Sequence, residues 1–348
     1  MAHTYKLVQW TPYKRSFDLA LTLGIAAYLG TFVVVSHFAF GANQSMSEIQ
    51  ILIRAFGSCA FAVLNLILII GPAARLSPRF VPILYNRRHM GVACFLLALT
   101  HATLVVIWYH AFSDLNPLVS LLVSNPRYDS IGGFPFESLG LIALVVLFIM
   151  AATSHDFWNM RLGPSLWKTL HMGVYFAYAL LVAHVMLGVV QYEKSPLYVV
   201  LVAFGAAVVV VLHMITGGRE WLRDRKGVAA RDGWLEVGAA ADMPDNRARI
   251  VVPKHGERIA VFRYGNKISA VSNVCRHQGG PLGEGRIIDG CVTCPWHGFQ
   301  YLPENGASPP PYTEKIATYR TRIDAGIVFV NTKAMKPGTA VPPSLITP

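Results

Sequence analysis

Two cysteines and two histidines in the C-terminal third of the chain carry the clearest chemistry. Cys275 and His277 are separated by one residue, and Cys294 and His297 by two, within the run CRHQGGPLGEGRIIDGCVTCPWHGFQY. Two thiolates and two imidazoles on paired loops are the donor set of a 2Fe-2S cluster with both Cys on one iron and both His on the other. The same four donors would also make a Cys2His2 zinc site. The neighbouring residues argue for the cluster. Gly279, Gly280, Pro281 and Gly283 let one loop fold tightly over inorganic sulfide, and Pro295 and Gly298 shape the other, so that backbone N–H groups can donate to sulfur. Cys291 lies near the pattern but outside it and reads as a small buried residue.

From about Trp234 to Asn331 this stretch resembles a Rieske ferredoxin of the kind that serves bacterial aromatic-ring dioxygenases, with CPWHG as the specific string. The resemblance implies a Rieske 2Fe-2S cluster held by Cys275, His277, Cys294 and His297. Respiratory relatives of that family carry a disulfide clamping the two cluster loops. The matching positions here are Gly280 and Trp296, so no clamp can form, and a wetter site places the potential toward the lower end of the Rieske range. Short strands are expected around it as hairpins: Arg258 to Arg263 with Lys267 to Val271, Ile287 to Ile288 with Val292 to Thr293, and Tyr319 to Ile323 with Ile327 to Asn331.

The elements that precede this domain are of another kind. The chain has 348 residues, 53% hydrophobic and only 14% charged, and the excess lies in the first two-thirds. Apolar runs span Phe17 to Phe40, Ile49 to Ile70, His89 to Phe112, Phe136 to Ala152, Ser165 to Val190 and Tyr198 to Thr216, each close to the ~20 residues a membrane helix needs. The expected fold class is therefore an α-helical membrane bundle of six transmembrane helices plus a small all-β Rieske domain. The first run is too long for a signal-peptide core and reads as a retained helix. The expected domains are residues 1–218 for the membrane part, 219–231 for a charged linker, 232–333 for the Rieske domain and 334–348 for a disordered Pro-rich tail.

Basic residues decide the orientation. Connections on the N-terminal side hold Lys6, Lys14, Arg15, Arg75, Arg79, Arg87, Arg88, Arg161, Lys168, Arg219, Arg223, Arg225 and Lys226, whereas the opposite side holds Arg127 and Lys194, with Arg54 just inside the second helix. By the positive-inside rule this is a multi-pass protein of the inner (cell) membrane, with the N-terminus and the Rieske domain cytoplasmic. The net charge of +11 has a membrane explanation, and no nucleic-acid partner is required. Five cysteines without a paired pattern fit a reducing compartment.

Ionisable side chains within lipid are costly, so each asks for a reason. The third expected helix carries His101, the fifth His171 and His184, and the sixth His213. Neutral imidazole gives a haem iron a nitrogen donor without burying net charge, although a single intramembrane His often only bridges helices. At 1.5 Å per residue, His101 lies roughly 20 Å past Arg88 and His184 roughly 24 Å past Lys168, so these two are level and could grip one b-type haem in the outer half. His171 is only about 5 Å past Lys168, in the inner half, where its level partners are His89 or His213. Positions thirteen apart on one helix are rotated by about 140°, so His171 and His184 face different sides unless the helix bends. His37, His110, His155 and His255 read as structural or solvated. Trp108, Tyr109, Trp158 and Trp167 read as an interfacial belt, and the connection from Ser113 to Glu137 as the site of a short interfacial helix.

The strings RRHMGVACFLLALTH and LWKTLHMGVYFAYALLVAH are similar to the ferric-reductase-like transmembrane family, whose members include NADPH oxidases, metalloreductases and the haem-binding membrane subunit of the bacterial periplasmic methionine sulfoxide reductase system. The last is the nearest in pattern and implies His101, His171 and His184 as ligands of one or two b-type haems. The chain departs from the oxidases in lacking a second His on the third helix at their spacing, and a Rieske module stands where their flavin and nicotinamide domain would be. The function expected of the whole is an oxidoreductase for transmembrane electron transfer. A cytosolic flavoprotein reductase or ferredoxin would be the donor, and an outer-side protein, metal chelate or quinone the acceptor. Exchange with the quinone pool, reverse flow, and a haem-binding transporter or sensor are the alternatives. A Rieske oxygenase would need a further iron domain, and the residues after Asn331 are too few to hold one.

Overall fold

The computed structural model describes residues 12–40, 46–84, 86–123, 127–154, 156–192, 196–277, 279–296, 298–310 and 312–346. They form two compact units that meet in sequence between Met214 and Ile215.

The first unit is helical. Its long elements are α1 (Pro12–Phe40), α2 (Glu48–Leu76), α4 (Arg87–Val105), α6 (Phe136–Ala152), α7 (Asp156–Tyr192) and α8 (Pro196–Arg225), the last crossing into the second unit. Two short helices, α3 (Val81–Leu84) and α5 (Pro117–Val123), lie in the connections. Local sequence sets the ends. Ser47 caps α2 through a capping box with Gln50, satisfying N–H groups that have no partner inside the helix. Among the described residues, five helices are long and apolar enough to cross a membrane, while α6, at 17 residues, is a shorter apolar sixth. Leu19, Leu23, Val34, Phe148 and Phe204 on their outer faces are exposed, as suits side chains whose solvent is lipid. At its end α4 widens into a π-helical turn, Val106–His110, which buries His110 against Ser120 of α5 and Glu137 of α6.

Two helices run further than the hydropathy pattern predicts. α7 begins at Asp156, ahead of the apolar run, and α8 continues to Arg225 through half of the expected linker. Charged residues with good helix propensity extend α8, and Arg223 pairs with Glu220 one turn away. Within the second unit these last turns meet the strands: Arg258 pairs with Glu220 and donates Nε–H to Asp224 Oδ1 at 2.8 Å. The Asp224 hydrogen bond first, against a desolvation cost, raises the guanidinium pKa.

The rest of the second unit is antiparallel β structure. One sheet has the order β1 (Trp234–Ala239), β10 (Ile327–Asn331), β9 (Thr321–Asp324). A second has β11 (Ser344–Leu345), β4 (Lys267–Ser272), β3 (Ile259–Tyr264), β2 (Arg247–Val251), with β8 (Thr318–Tyr319) also on β4. A third, β5 (Arg286–Ile288), β6 (Cys291–Thr293), β7 (Gln300–Tyr301), supports the cysteine loops. All three expected hairpins are present, and Asp289-Gly290 and Ala325-Gly326 take the positive φ that a two-residue hairpin turn demands.

The Pro-rich tail is ordered, contrary to the expectation from composition. Val341 N–H reaches Glu304 O at 2.7 Å, Thr318 Oγ1 donates to Thr339 O, and β11 adds an edge strand to β4. Proline has no N–H to offer a ladder, but the tail's contacts use the residues between its prolines.

Two candidate redox centres

The loops after Val274 and Thr293 have the same backbone design. Cys275 N–H bonds Gly280 O and Cys294 N–H bonds Phe299 O, each five residues on, while each Cys carbonyl accepts from the glycine four residues on, Gly279 or Gly298. Both glycines sit at positive φ, 74° and 70°, which an L side chain would resist. The two thiols are 1% exposed. A Cβ on Gly280 would lie 2.7 Å from Cys294 Sγ and 3.2 Å from the Trp296 ring, so that glycine is where the loops touch. No disulfide forms among the cysteines, and Trp296 covers the place where a clamp would stand. His277 stacks on Phe299 at 4.8 Å, and Phe299 meets Tyr312 edge-on. His297, the expected fourth ligand, lies outside the described residues.

Tyr301 is a candidate site residue that residue typing missed. Its buried hydroxyl accepts from Arg276 N–H at 3.0 Å and lies 3.4 Å from Cys275 Sγ, where a thiolate, having no proton, could only accept its O–H. Burial, reinforced by the Cys275 charge, raises its pKa and keeps it a donor. The available signal is spacing: Phe299 and Tyr301, two residues apart where the chain enters β7, pack their rings together at 5.3 Å. Cys291 is buried as expected, and burial pushes its thiol pKa up. Two buried cysteines on touching loops, one with a hydroxyl 3.4 Å from its sulfur, fit a 2Fe-2S cluster.

In the helical unit, His101 of α4 and His184 of α7 face each other. Their ring centres are 6.4 Å apart and their planes at 80°. His101 Nδ1 is 2.9 Å from Ile53 O and His184 Nδ1 is 2.8 Å from Phe136 O. A carbonyl only accepts, so both Nδ1 atoms carry the proton and both Nε2 atoms keep a lone pair. One iron between two such rings needs two bonds of about 2 Å plus roughly 1 Å from each nitrogen to its ring centre, about 6 Å in all, which the spacing meets. A Cβ on Gly57 would lie 2.8 Å from His101 Nδ1, and one on Gly140 2.8 Å from His184 Cε1, so a glycine on each neighbouring helix admits each ring.

His171 stands apart from this pair. Its Nδ1 bonds Trp167 O at 3.0 Å, its ring stacks on Trp167 at 3.6 Å, and its Nε2 is buried with no hydrogen-bond partner among the described residues. A buried lone pair without a donor fits a metal ligand. Trp167 is thus no belt residue: it is 6% exposed, with Nε1–H donating to Thr153 O. Trp108, Tyr109 and Trp158 do lie exposed near helix ends. Of the level partners proposed for His171, His89 places Nδ1 2.6 Å from Asp18 Oδ1 on α1, and His213 has Nε2 3.2 Å from Tyr175 Oη. His37 and His255 are exposed, and His155 lies outside the described residues.

Residues 233–320 match the family model of the Rieske 2Fe-2S domain, and residues 56–182 that of the ferric reductase like transmembrane component. The chain is 36% identical over 101 residues to the anthranilate 1,2-dioxygenase ferredoxin subunit of Burkholderia cepacia, covering 28% of its own length and 91% of the other's. It is 31% identical over 160 residues to the protein-methionine-sulfoxide reductase heme-binding subunit of Caulobacter vibrioides, covering 45% and 70% respectively. A solved complex of oxygenase and ferredoxin in carbazole 1,9a-dioxygenase contains a chain 27% identical, 98% of which is covered by 30% of this chain, with a TM-score of 0.29.

Proposed function

Because the chain belongs to the ferric-reductase-like transmembrane family and carries a Rieske 2Fe-2S domain after its helices, we propose that this membrane oxidoreductase moves electrons from a cytosolic reductant to an acceptor on the outer side. Cys275, His277, Cys294 and His297 would hold the 2Fe-2S cluster, His101 and His184 one b-type haem, and His171 a second. Each group, when bound, supplies a one-electron carrier. The protein's own residues do the rest. Ile53 O and Phe136 O fix the tautomer and orientation of the outer imidazoles, and the apolar helices around them keep water out. Tyr301 directs its proton at Cys275.

The observation that carries this reading is the 6.4 Å opposition of His101 and His184, each with Nδ1 committed to a carbonyl on another helix. The donor would be a flavoprotein reductase or ferredoxin. The acceptor would be an outer-side protein, ferric chelate or quinone. The basic residues on the N-terminal side of the helices support a cytoplasmic Rieske domain in the inner membrane.

The test is stopped-flow reduction of the full chain by a cytosolic reductase, following b-type absorbance. His277→Ala should abolish the Rieske paramagnetic signal, leave haem content unchanged and slow haem reduction at least tenfold. Haem reduction as fast in the variant as in the parent refutes the order of carriers.

A further inference from the structure

The last turns of α8 sort their charges by face. Glu220 and Asp224, one turn apart, both meet Arg258 of the β domain, and Arg223 shares the Glu220 carboxylate at 3.0 Å. The segment's two acidic groups are thereby neutralised on the side that faces the strands. Leu222 is two residues from each of them, which at about 100° per residue puts it roughly 160° round the helix from both. It is 51% exposed. Arg219 and Arg225, three residues before and after Leu222, and Lys226, four after it, flank it on that opposite face. All three are exposed, and among the described residues none is paired with a carboxylate. Arg225 lies over the ring of Trp221, 4.1 Å from its centre, and Trp221 is itself 54% exposed.

Depth says what this face meets. α8 continues without a break from the apolar run that ends at Thr216. At 1.5 Å per residue Arg219 lies about 5 Å, Trp221 about 8 Å and Arg225 about 14 Å past Thr216. A headgroup layer is about 5 to 8 Å thick on each side of the hydrocarbon, so the segment runs through it and just beyond. An aromatic and an aliphatic side chain suit the apolar part of that layer, and three unpaired cations suit its phosphates. A protein partner would have to displace headgroups to reach the same surface. We infer that Arg219, Trp221, Leu222, Arg225 and Lys226 form a docking face for anionic phospholipid headgroups. The helix end that carries the β domain is then held by Arg258 on one side and by lipid phosphate on the other. Membrane orientation needs only that the cations be present, whereas a lipid face needs them segregated from Glu220 and Asp224, as they are.

The experiment places a nitroxide at Leu222→Cys in the full chain, whose native cysteines are all buried. The protein is set in nanodiscs of phosphatidylcholine, with or without phosphatidylglycerol. Collisions with oxygen, which partitions into lipid, and with a nickel chelate, which stays in water, report where the label sits. Each basic residue at an anionic surface shifts the balance toward the membrane about fivefold, so phosphatidylglycerol should raise the oxygen-to-nickel ratio by about fivefold or more. Arg219→Gln with Arg225→Gln should cut that rise to about twofold or less, whereas Arg219→Lys with Arg225→Lys should keep it and guards against misfolding. An equal ratio in the two lipids, or a rise that survives the glutamine pair, overturns the inference. A label hidden from both reagents overturns it as well, since protein would then cover the face.

Discussion

Replacing Tyr301 by phenylalanine removes one hydroxyl from the β-domain core and leaves the ring, with its 5.3 Å contact to Phe299, in place. The hydroxyl, held by Arg276 N–H, lies 3.4 Å from Cys275 Sγ, and a thiolate there, having no proton, can only accept its O–H. Reduction adds one negative charge to a cluster bound at that sulfur, so the O–H stabilises the reduced state more than the oxidised one. A hydrogen bond to a charged group is worth about 1 kcal/mol more than a neutral one. For a one-electron couple a tenfold change is 59 mV, so that difference corresponds to about 40 mV. Tyr301→Phe should therefore lower the midpoint potential of the Rieske signal by about 40 mV at pH 7, with the signal's intensity retained. The assay is a redox titration of the full chain followed by electron paramagnetic resonance. A potential that stays within about 10 mV of the parent, or rises, would refute the assigned direction of the hydroxyl proton, since a shift that small is under a quarter of the expected one.

Other residues give independent checks. Gly57→Ala places a methyl 2.8 Å from His101 Nδ1 and Gly140→Ala one 2.8 Å from His184 Cε1, so both should deplete the same haem, read as haem per protein. Gly91→Ala, with nothing within 4 Å, should leave haem content unchanged and stabilise α4 by up to about 1 kcal/mol. Tyr178→Phe removes a 2.8 Å hydrogen bond to Asn65 Oδ1 between α7 and α2, and should cost about 0.6 kcal/mol in thermal stability with no haem lost. Cys291, with its thiol pKa raised by burial and then by Asp289, should resist iodoacetamide at pH 8.5 in the folded chain and react once unfolded. Its folded pKa lies above the unfolded one, so its contribution to stability is complete below about pH 8.5 and declines as pH rises further, which a thermal melt against pH would register.

Features fixed by neighbours in sequence were legible, and features fixed across space were not. The cysteine loops could be read because ligand spacing and the positive-φ glycines Gly279 and Gly298 are local, as are the Asp289-Gly290 and Ala325-Gly326 turns. Depth along a helix was also readable, since 1.5 Å per residue makes His101 and His184 level without knowledge of packing. Their opposition at 6.4 Å depends in addition on Gly57 and Gly140, which no spacing rule singles out, because each serves a ring on another helix. Trp167 misled for the opposite reason. Its position near basic residues suggests an interface, yet it sits four residues before His171 on the same helix, where side chains stack, and that pairing buries it. Among the basic residues counted for orientation, Arg15, Arg75, Arg79, Arg161, Arg219, Arg223 and Arg225 are exposed, so the positive-inside argument rests on several connections and not on one helix end.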